Sequence, residues 1–329
     1  MLIQGEGFDL QTLTAAVNRI PYVPTFLGDL DMFEPRPVAT TTVEIEEQDG
    51  VVVLVPDSER GSNTPAVEAD GERRVVPLSL PRNALKSTIR ASMIQNVRAF
   101  GGTALEGLQQ KITEHQTALV RSINQTWEHK RLGAVRGEIV NSAGRTTHDL
   151  FATFGVAKPA RTDFTLTGQN PDDLKLLTRQ KKREIVKAGK GLVSGSDRVM
   201  WACGDDVFDA LLSLDDFRRA YDTRMEAALR EGGQVWEAVP YGGGVFYNYR
   251  GSDDDSVSIA SDEVAIFPAS RGVFEIAFGP ADRVDTANTL GLPMYSWVTE
   301  TDRAVQVHVE SNALPYCKVP GVLHSAKLV

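Results

Sequence analysis

The chain has 329 residues, 42% of them hydrophobic and 24% charged, which is typical of a globular protein with one large domain or a few small ones. No run of about twenty apolar residues is present to span a membrane. The formal net charge of −9 disfavours a protein that grips nucleic-acid phosphates. The first residues lack the basic flank and apolar core of a signal peptide, so we expect a cytoplasmic protein.

The cysteines and histidines do not form the spacings that metal sites use. Cys203 and Cys317 lie far apart and make no CxxC pair, so we expect two buried thiols rather than a zinc site or a disulfide. The five histidines contain no HExxH motif and no i, i+4 pair on a predicted helix. We therefore predict no metal and no cofactor.

The first forty residues read as an extended arm. A short amphipathic pattern ends at Pro21 and Pro24, and the stretch after it carries Pro35 and Pro37 with few periodic apolar residues. Segments of this kind rarely fold alone. We expect the arm to lie on another surface.

A two-stranded projection follows the arm. Alternating side chains predict strands over 40–47 and 73–80, with a further strand at 51–55 after a turn. Residues 56–72 are rich in Pro, Gly, Ser and acidic side chains and contain no aromatic residue. Such a tip has no core of its own, so it is either a loose loop or a segment ordered by a partner.

Residues 103–133 predict one long helix, which the rest of the chain is built around. Apolar side chains recur in steps of three, four and seven at Leu105, Leu108, Ile112, Leu119, Ile123 and Trp127. The residues expected to face away are Gln109, Gln110, Glu114, Arg121 and Lys130. The helix would be roughly 45 Å long. Residues 81–99 before it are weakly helical in pattern.

Both ends of this helix carry sequence signals. Thr103 and Glu106 stand in the spacing of a capping box. Gly133 is placed to act as a left-handed C-cap, after the basic residues Lys130 and Arg131, which suit the negative end of a helix.

The remainder alternates helices and strands and then returns to strands. A hairpin is predicted over 136–151. An inserted α+β unit follows, with helices at Pro171–Ala188, 207–212 and 215–230 and strands at Val199–Cys203, 235–239, 245–249 and 263–267. The last predicted strands are 273–278, 295–299 and 305–309.

Motifs for enzymatic chemistry are missing from the sequence. No GxSxG stands at a strand–helix junction, and the glycines at 242–244 lack the Lys-Ser/Thr of a phosphate loop. The acidic pairs 205–206 and 215–216 suit helix N-termini, and the acidic run 253–255 suits a solvated loop. The basic run 179–190 is interpreted as a solvated helix face, with a surface for nucleic acid or an acidic partner as the alternative.

Seven motifs, spread in order over most of the chain, strongly resemble one known family. They are LTAAVNRIPYVP at 13–24, VATTTVEIEE at 38–47, RAFG at 98–101, HKRLGA at 129–134, FEIAFGPAD at 274–282, NTLGLPMY at 288–295 and ESNALP at 310–315. The chain resembles the major capsid protein of lambda-like tailed phages, the capsid protein E family. These motifs are turns and packing positions, so they indicate a fold rather than a catalytic site.

The resemblance implies the Hong Kong 97-type capsid fold, of class α+β. It implies an N-terminal arm at 1–43, an extended β-loop at 44–82, and a peripheral domain with a spine helix at 83–150. An axial domain would take 151–272, and residues 273–329 would return to the peripheral domain.

The resemblance also implies a structural function rather than an enzymatic one. A protein of this family assembles into hexamers and pentamers of an icosahedral shell around double-stranded phage DNA, and its extended loop moves as the procapsid expands. The implied partners are other copies of the chain, a scaffold, a portal and, where one is used, a decoration protein, with DNA enclosed but not read by sequence. The expected location is the virion, after assembly in the host cytoplasm.

Three further expectations concern specific residues and alternatives. Some relatives cross-link through a lysine on the extended loop, but the first lysine here is Lys86, so we predict no such cross-link. Arg60, Arg73 and Arg74 are candidate assembly contacts against acidic loops, although exposed ion pairs are individually weak. A non-viral compartment protein of the same fold is the alternative function.

Overall fold

The structure is a computed structural model that describes residues 26–48, 73–94, 107–166, 171–231, 238–249, 252 and 257–329. Within these ranges, no helix combines the length and the apolar character needed to cross a membrane.

The elements of the first half are mostly strands around one long helix. In chain order they are α1 (Phe26–Asp29), β1 (Phe33–Pro37), β2 (Thr42–Gln48), β3 (Arg73–Ser79), β4 (Asn83–Arg90), α2 (Ala91–Ile94), α3 (Leu108–Arg136), β5 (Glu138–Val140), β6 (Thr146–Asp149), α4 (Leu150–Phe154) and β7 (Thr162–Phe164).

The second half alternates helices and strands and ends in strands. Its elements are α5 (Pro171–Ala188), β8 (Val199–Cys203), α6 (Asp205–Leu212), α7 (Asp215–Glu231), β9 (Ala238–Tyr241), β10 (Gly244–Asn248), β11 (Glu263–Pro268), β12 (Phe274–Phe278), β13 (Tyr295–Thr301), β14 (Ala304–Ser311), β15 (Ala313–Cys317) and β16 (His324–Leu328). The predicted hairpin, inserted helices and late strands are confirmed where they lie in the described ranges. Strands β15 and β16 were not predicted.

The described strands form one six-stranded sheet, two three-stranded sheets and two two-stranded sheets. The six-stranded sheet has the order β7-β16-β11-β8-β10-β9, and a three-stranded sheet has the order β13-β14-β4. Every residue of β8 is buried, as expected for a strand covered on both faces, and Trp201 stacks on Phe246 with ring centroids 4.8 Å apart. The last strand, β16, pairs with β11, so the end of the chain lies in the sheet of the inserted unit.

A second three-stranded sheet, β1-β12-β15, joins distant parts of the sequence. Strand β1 pairs in parallel with β12, and β12 pairs antiparallel with β15. Among the described strands, β1 lies at the edge of this sheet and has only one neighbour. Proline has no amide hydrogen to donate, and an edge strand tolerates Pro35 and Pro37 because its outer side has no strand to pair with. The end of the predicted arm is therefore an edge strand of the core.

Helix α3 spans 29 residues and ends later than predicted. Its C-cap is Gly137, which has φ 80°, so the assignment of the cap to Gly133 is wrong. Gly133 lies inside the helix, and a Cβ there would stand 2.9 Å from the carbonyl oxygen of Glu138 and from Cα of Ile139. The glycine thus permits close packing of β5 on the helix. The N-cap is Gly107, and the predicted capping box at 103–106 lies outside the described residues.

The weak helical pattern predicted for 81–99 is wrong over its first half. Residues 83–90 form strand β4, which pairs antiparallel with β14 from Asn83 opposite Ser311 to Arg90 opposite Ala304. Ile89 is buried beneath this sheet with Val307, and Ile112 of α3 packs in the same cluster. Residues 95–99 lie outside the described ranges.

The root of the predicted projection is confirmed as a hairpin of β2 and β3. The strands pair from Thr42 opposite Ser79 to Gln48 opposite Arg73. One face buries Val43, Ile45, Val76 and Leu78 in the main core. The opposite face exposes Glu44, Glu46 and Val75. The strand predicted at 51–55 and the tip lie outside the described residues.

Candidate functional site

Potential metal ligands and thiols among the described residues are dispersed or buried. Among them, no cluster of three or more His, Cys, Asp or Glu side chains is placed to hold a metal ion. Cys203 and Cys317 are free thiols and fully buried, which confirms that prediction. Burial raises the pKa of the Cys317 thiol to about 12, so it is protonated and inert near neutral pH.

The predicted assembly contacts lie at the projection. Arg60 is outside the described residues, and Arg73 is the first residue of β3. Arg74 donates from Nη1 to the carbonyl of Phe154 at 3.1 Å and from Nη2 to that of Thr153 at 2.9 Å. A guanidinium there suits the negative end of helix α4. Arg74 therefore fastens the root to its own subunit, and an inter-subunit role for it stays a prediction.

A second anchor at the root was not predicted. Arg82 follows β3 and donates from Nε to Oε2 of Glu310 at 3.1 Å, and its Nη2 lies 2.9 Å from the same oxygen. The Glu310 side chain is fully buried, and it also accepts from the amide of Asp282 at 2.8 Å and from Nδ2 of Asn312 at 3.1 Å. A buried carboxylate is stable only with partners of this kind. The network ties the projection to β14 and to the loop after β12.

Glu128 forms the main polar centre inside the fold. Its carboxylate is 6% exposed and accepts the amide of Leu27 at 2.7 Å and the hydroxyl of Tyr249 at 3.3 Å. Arg131, one turn on, contacts the other carboxylate oxygen at 3.5 Å. The guanidinium of Arg131 also lies 5.8 Å from the ring centroid of Phe33. Two side chains of α3, Glu128 and Arg131, thus contact α1, β1 and the residue that follows β10.

Lys130 does not face solvent, so the outward orientation predicted from helix spacing is wrong. The side chain is 5% exposed, and Nζ donates to the carbonyl of Ala313 in β15 at 3.0 Å. Burial disfavours the ammonium form and lowers the pKa of Lys130 from 10.5 to about 7. The amine is therefore part of the core between helix and sheet.

We expect a pH-dependent stability that Lys130→Met removes. Between pH 7 and pH 10.5 the unfolded chain keeps a proton that the folded chain has released, so rising pH favours the folded state. As the pH rises through this window, the free energy of unfolding of wild type should increase by about 1.4 kcal/mol per pH unit relative to that of the variant. Below pH 7 the difference between the two proteins should stay constant. Urea unfolding of both proteins at several pH values measures the difference. Parallel pH profiles would contradict a depressed pKa.

An open cleft of about 590 Å³ lies between the second half of α3, β5 and the six-stranded sheet. Ion pairs lie among its lining residues, from Arg136 to Glu263 at 2.8 Å and from Lys158 to Glu138 at 2.6 Å. Leu132, Val264 and Ala326 supply apolar lining. The Arg136–Glu263 pair ties α3 to β11, and the Lys158–Glu138 pair ties the segment after α4 to β5, so the cleft is a junction between the helix and the sheet.

The basic run on α5 is largely solvated, as interpreted from the sequence. Arg179, Arg183 and Lys187 are exposed. Lys181 is the exception, since its side chain is 10% exposed and its Nζ contacts Glu184 at 2.8 Å. An acidic neighbour on the same helix weakens the field that such a run would present to nucleic acid.

The sequence matches the family model described as phage major capsid protein E over residues 9–328. A major capsid protein of Salmonella phage Felix O1 (isolate Felix O1-VT1) is 26% identical, over 96% of this chain and 95% of the relative.

Solved structures of similar fold extend the comparison. One described as the capsid protein of a prophage (E. coli CFT073) gives a TM-score of 0.61 at 16% identity, covering 98% of this chain and 99% of that chain. The mature capsid of bacteriophage PhiM1 gives a TM-score of 0.52 at 10% identity, covering 93% of this chain and 88% of that chain. Both similarities run over nearly the whole length.

Proposed function

The chain belongs to the phage major capsid protein E family, and from this membership we propose that it forms the hexamers and pentamers of an icosahedral shell around double-stranded DNA. It is a structural, self-associating protein of phage shells and a component of the virion, not an enzyme. Its fold is the α+β fold of Hong Kong 97-type capsid proteins, as the sequence predicts.

The observation that carries this proposal is the family match over residues 9–328, and the anchored root of the projection supports it. The β3 side of the hairpin is fixed to the same subunit by the contacts of Arg74 with α4 and of Arg82 with Glu310. In the proposed arrangement residues 44–82 lie over a neighbouring copy and shift when the procapsid expands, with Arg60, Arg73 and Arg74 among the contacts.

The proposed domain division follows the resemblance. Residues 1–43 form the arm, 83–150 the peripheral domain and 151–272 the axial domain, with 273–329 returning to the peripheral domain. The pairing of β16 with β11 supports one refinement, in which the final strand contributes to the axial sheet.

The proposed partners are a scaffold, a portal and, where one is used, a decoration protein, with assembly in the host cytoplasm. DNA is enclosed without sequence-specific binding. The net charge of −9 supports a container that does not hold its contents tightly. The non-viral alternative is not favoured, because the family match spans residues 9–328 and describes phage major capsid proteins.

Sedimentation of the chain co-expressed with its genomic neighbours, with negative-stain images of the fast fraction, tests this proposal. Closed shells, or rings of five and six subunits, are the expected result. On gels of boiled, reduced particles we expect a single band at 35.9 kDa, since the projection has no lysine for a covalent bond. A chain that sediments only as a monomer under every co-expression condition would refute shell formation. Bands above the monomer mass would refute the prediction that the shell is non-covalent, but would leave shell formation itself standing.

A further inference from the structure

The loop between β12 and β13, residues 279–294, carries an unusual concentration of exposed apolar side chains. Nine large hydrophobic residues are exposed in the described part of the chain, and three of them fall in this loop. Val284 is 98% exposed, Leu290 64% and Leu292 43%. Single exposed apolar residues are normal on protein surfaces, whereas three within residues 284–292 of one loop are a concentration that a contact with another molecule would explain.

Hydrogen bonds inside the loop fix its shape. Arg283 forms a two-pronged pair with Asp285, at 3.0 and 3.1 Å, and lies 4.8 Å from the ring centroid of Trp297. The hydroxyl of Thr286 donates to the carbonyl of Ala281 at 2.9 Å. The short helical turn that carries Val284 is therefore braced on both sides, and Val284 is held away from the core.

The loop is also tied to the body at both ends. Near its start, Nδ2 of Asn312 donates to the carbonyl of Pro280 at 2.6 Å. Near its end, the amide of Gly291 donates to the carbonyl of Val38 at 2.9 Å, and a Cβ on Gly291 would stand 2.1 Å from the carbonyl oxygen of Phe278. That close approach requires glycine. The exposed apolar side chains therefore lie on a loop whose conformation is already fixed, which lowers the entropic cost of binding.

This loop lies beside the root of the projection, so the two share one continuous surface. Arg82 contacts Asp282 at 3.4 Å as well as Glu310. A Cβ on Gly279 would stand 2.7 Å from Cδ1 of Leu80, which follows β3. Subunits arranged in closed rings meet through two different patches, so a protruding patch on one copy faces another surface on the next.

We propose that the 279–294 loop is an inter-subunit contact whose exposed side chains Val284 and Leu290 are buried against a second copy of this chain in the shell. The inference rests on the proposed shell function and names a contact for it. A second copy is the occupant for two reasons. This chain self-associates, and the 279–294 loop lies beside the root of a projection that is proposed to reach a neighbouring copy.

The double variant Val284→Asp, Leu290→Asp tests the contact, with Leu176→Asp, Leu192→Asp as its matched control. Leu176 and Leu192 are 59% and 45% exposed and lie on and just after α5, away from the loop in sequence. Both double variants should keep the thermal midpoint of wild type, since all four sites are exposed. The loop variant should form about tenfold fewer shells by sedimentation, because a buried carboxylate opposes association. The control should assemble like wild type.

A second readout uses Val284→Cys in assembled particles. Because both natural thiols are buried, the new cysteine is the reactive one among the described positions. Protection from a maleimide in shells, with rapid labelling in dissociated subunits, is expected.

Shells of the loop variant at control levels would overturn the contact and leave the proposed function standing. Loss of a co-purifying head protein without loss of shells would also overturn it, since the occupant would then be that protein. Absence of particles from wild type itself would overturn both.

Discussion

Glu128→Ala is expected to lower the free energy of unfolding by about 3–5 kcal/mol. The carboxylate lies in the interior, accepts the amide of Leu27 at 2.7 Å and contacts Arg131 at 3.5 Å. Alanine leaves that amide without its acceptor and removes the negative charge beside a buried guanidinium. Urea unfolding of the isolated subunit, followed by tryptophan fluorescence, measures the loss, since Trp127 lies one position away.

Glu114→Ala is the matched control, because Glu114 lies on the same helix with an exposed side chain and pairs with Lys111. It should unfold like wild type. Glu128→Gln, which keeps an acceptor but removes the charge, should fall between the two. If Glu128→Ala and Glu114→Ala unfold at the same urea concentration, the buried carboxylate is not a stabilising centre.

Removing the tip of the projection is expected to abolish shells without unfolding the subunit. Gln48 and Arg73 stand opposite each other at the last described pair of the hairpin. Replacing residues 49–72 by Asn-Gly therefore closes β2 and β3 with a two-residue turn that matches strand twist. The buried face of the root, including Ile45 and Val76, is unchanged. We expect a soluble monomer with the thermal midpoint of wild type and no closed particles in electron micrographs.

A second variant separates the length of the tip from its contacts. Replacing 49–72 with a Gly/Ser segment of equal length keeps the reach but removes the side chains. It should also fail to form shells if the tip binds a neighbour. Normal shells from the truncated chain would show that the projection is dispensable for assembly.

The sequence patterns predicted helices and strands well where the spacing of apolar residues fits either the helical repeat or the strand repeat, but not both. Strand Val199–Cys203 is a short apolar run, and helix Pro171–Ala188 repeats only at helical steps, and both are confirmed. The pattern failed at β4, where Leu85 and Ile89 are four residues apart. Four residues make two full strand repeats and nearly one helical turn, so both structures place these side chains on one face. Pairing with β14 decides between them.

The buried polar residues of α3 were beyond sequence reasoning. Glu128, Lys130 and Gln116 are polar, and polar side chains are mostly exposed, yet all three face the core. Their partners Leu27, Ala313 and Ser296 lie 101, 183 and 180 residues away in the chain. No local pattern carries that information. The sequence shows that Arg74 is charged, but it does not show that the side chain donates to two carbonyls at the end of helix α4.

The order of strands in the β1-β12-β15 sheet sets when a subunit can be completed. Strand β1 ends at Pro37, whereas its neighbour β12 begins at Phe274. Ribosomes add about 5–20 residues per second, so β1 waits on the order of 10–50 s for its partner. The 279–294 loop, which extends from β12, is synthesised later still. Chains still on the ribosome therefore lack this surface, so we expect a growing particle to recruit finished subunits.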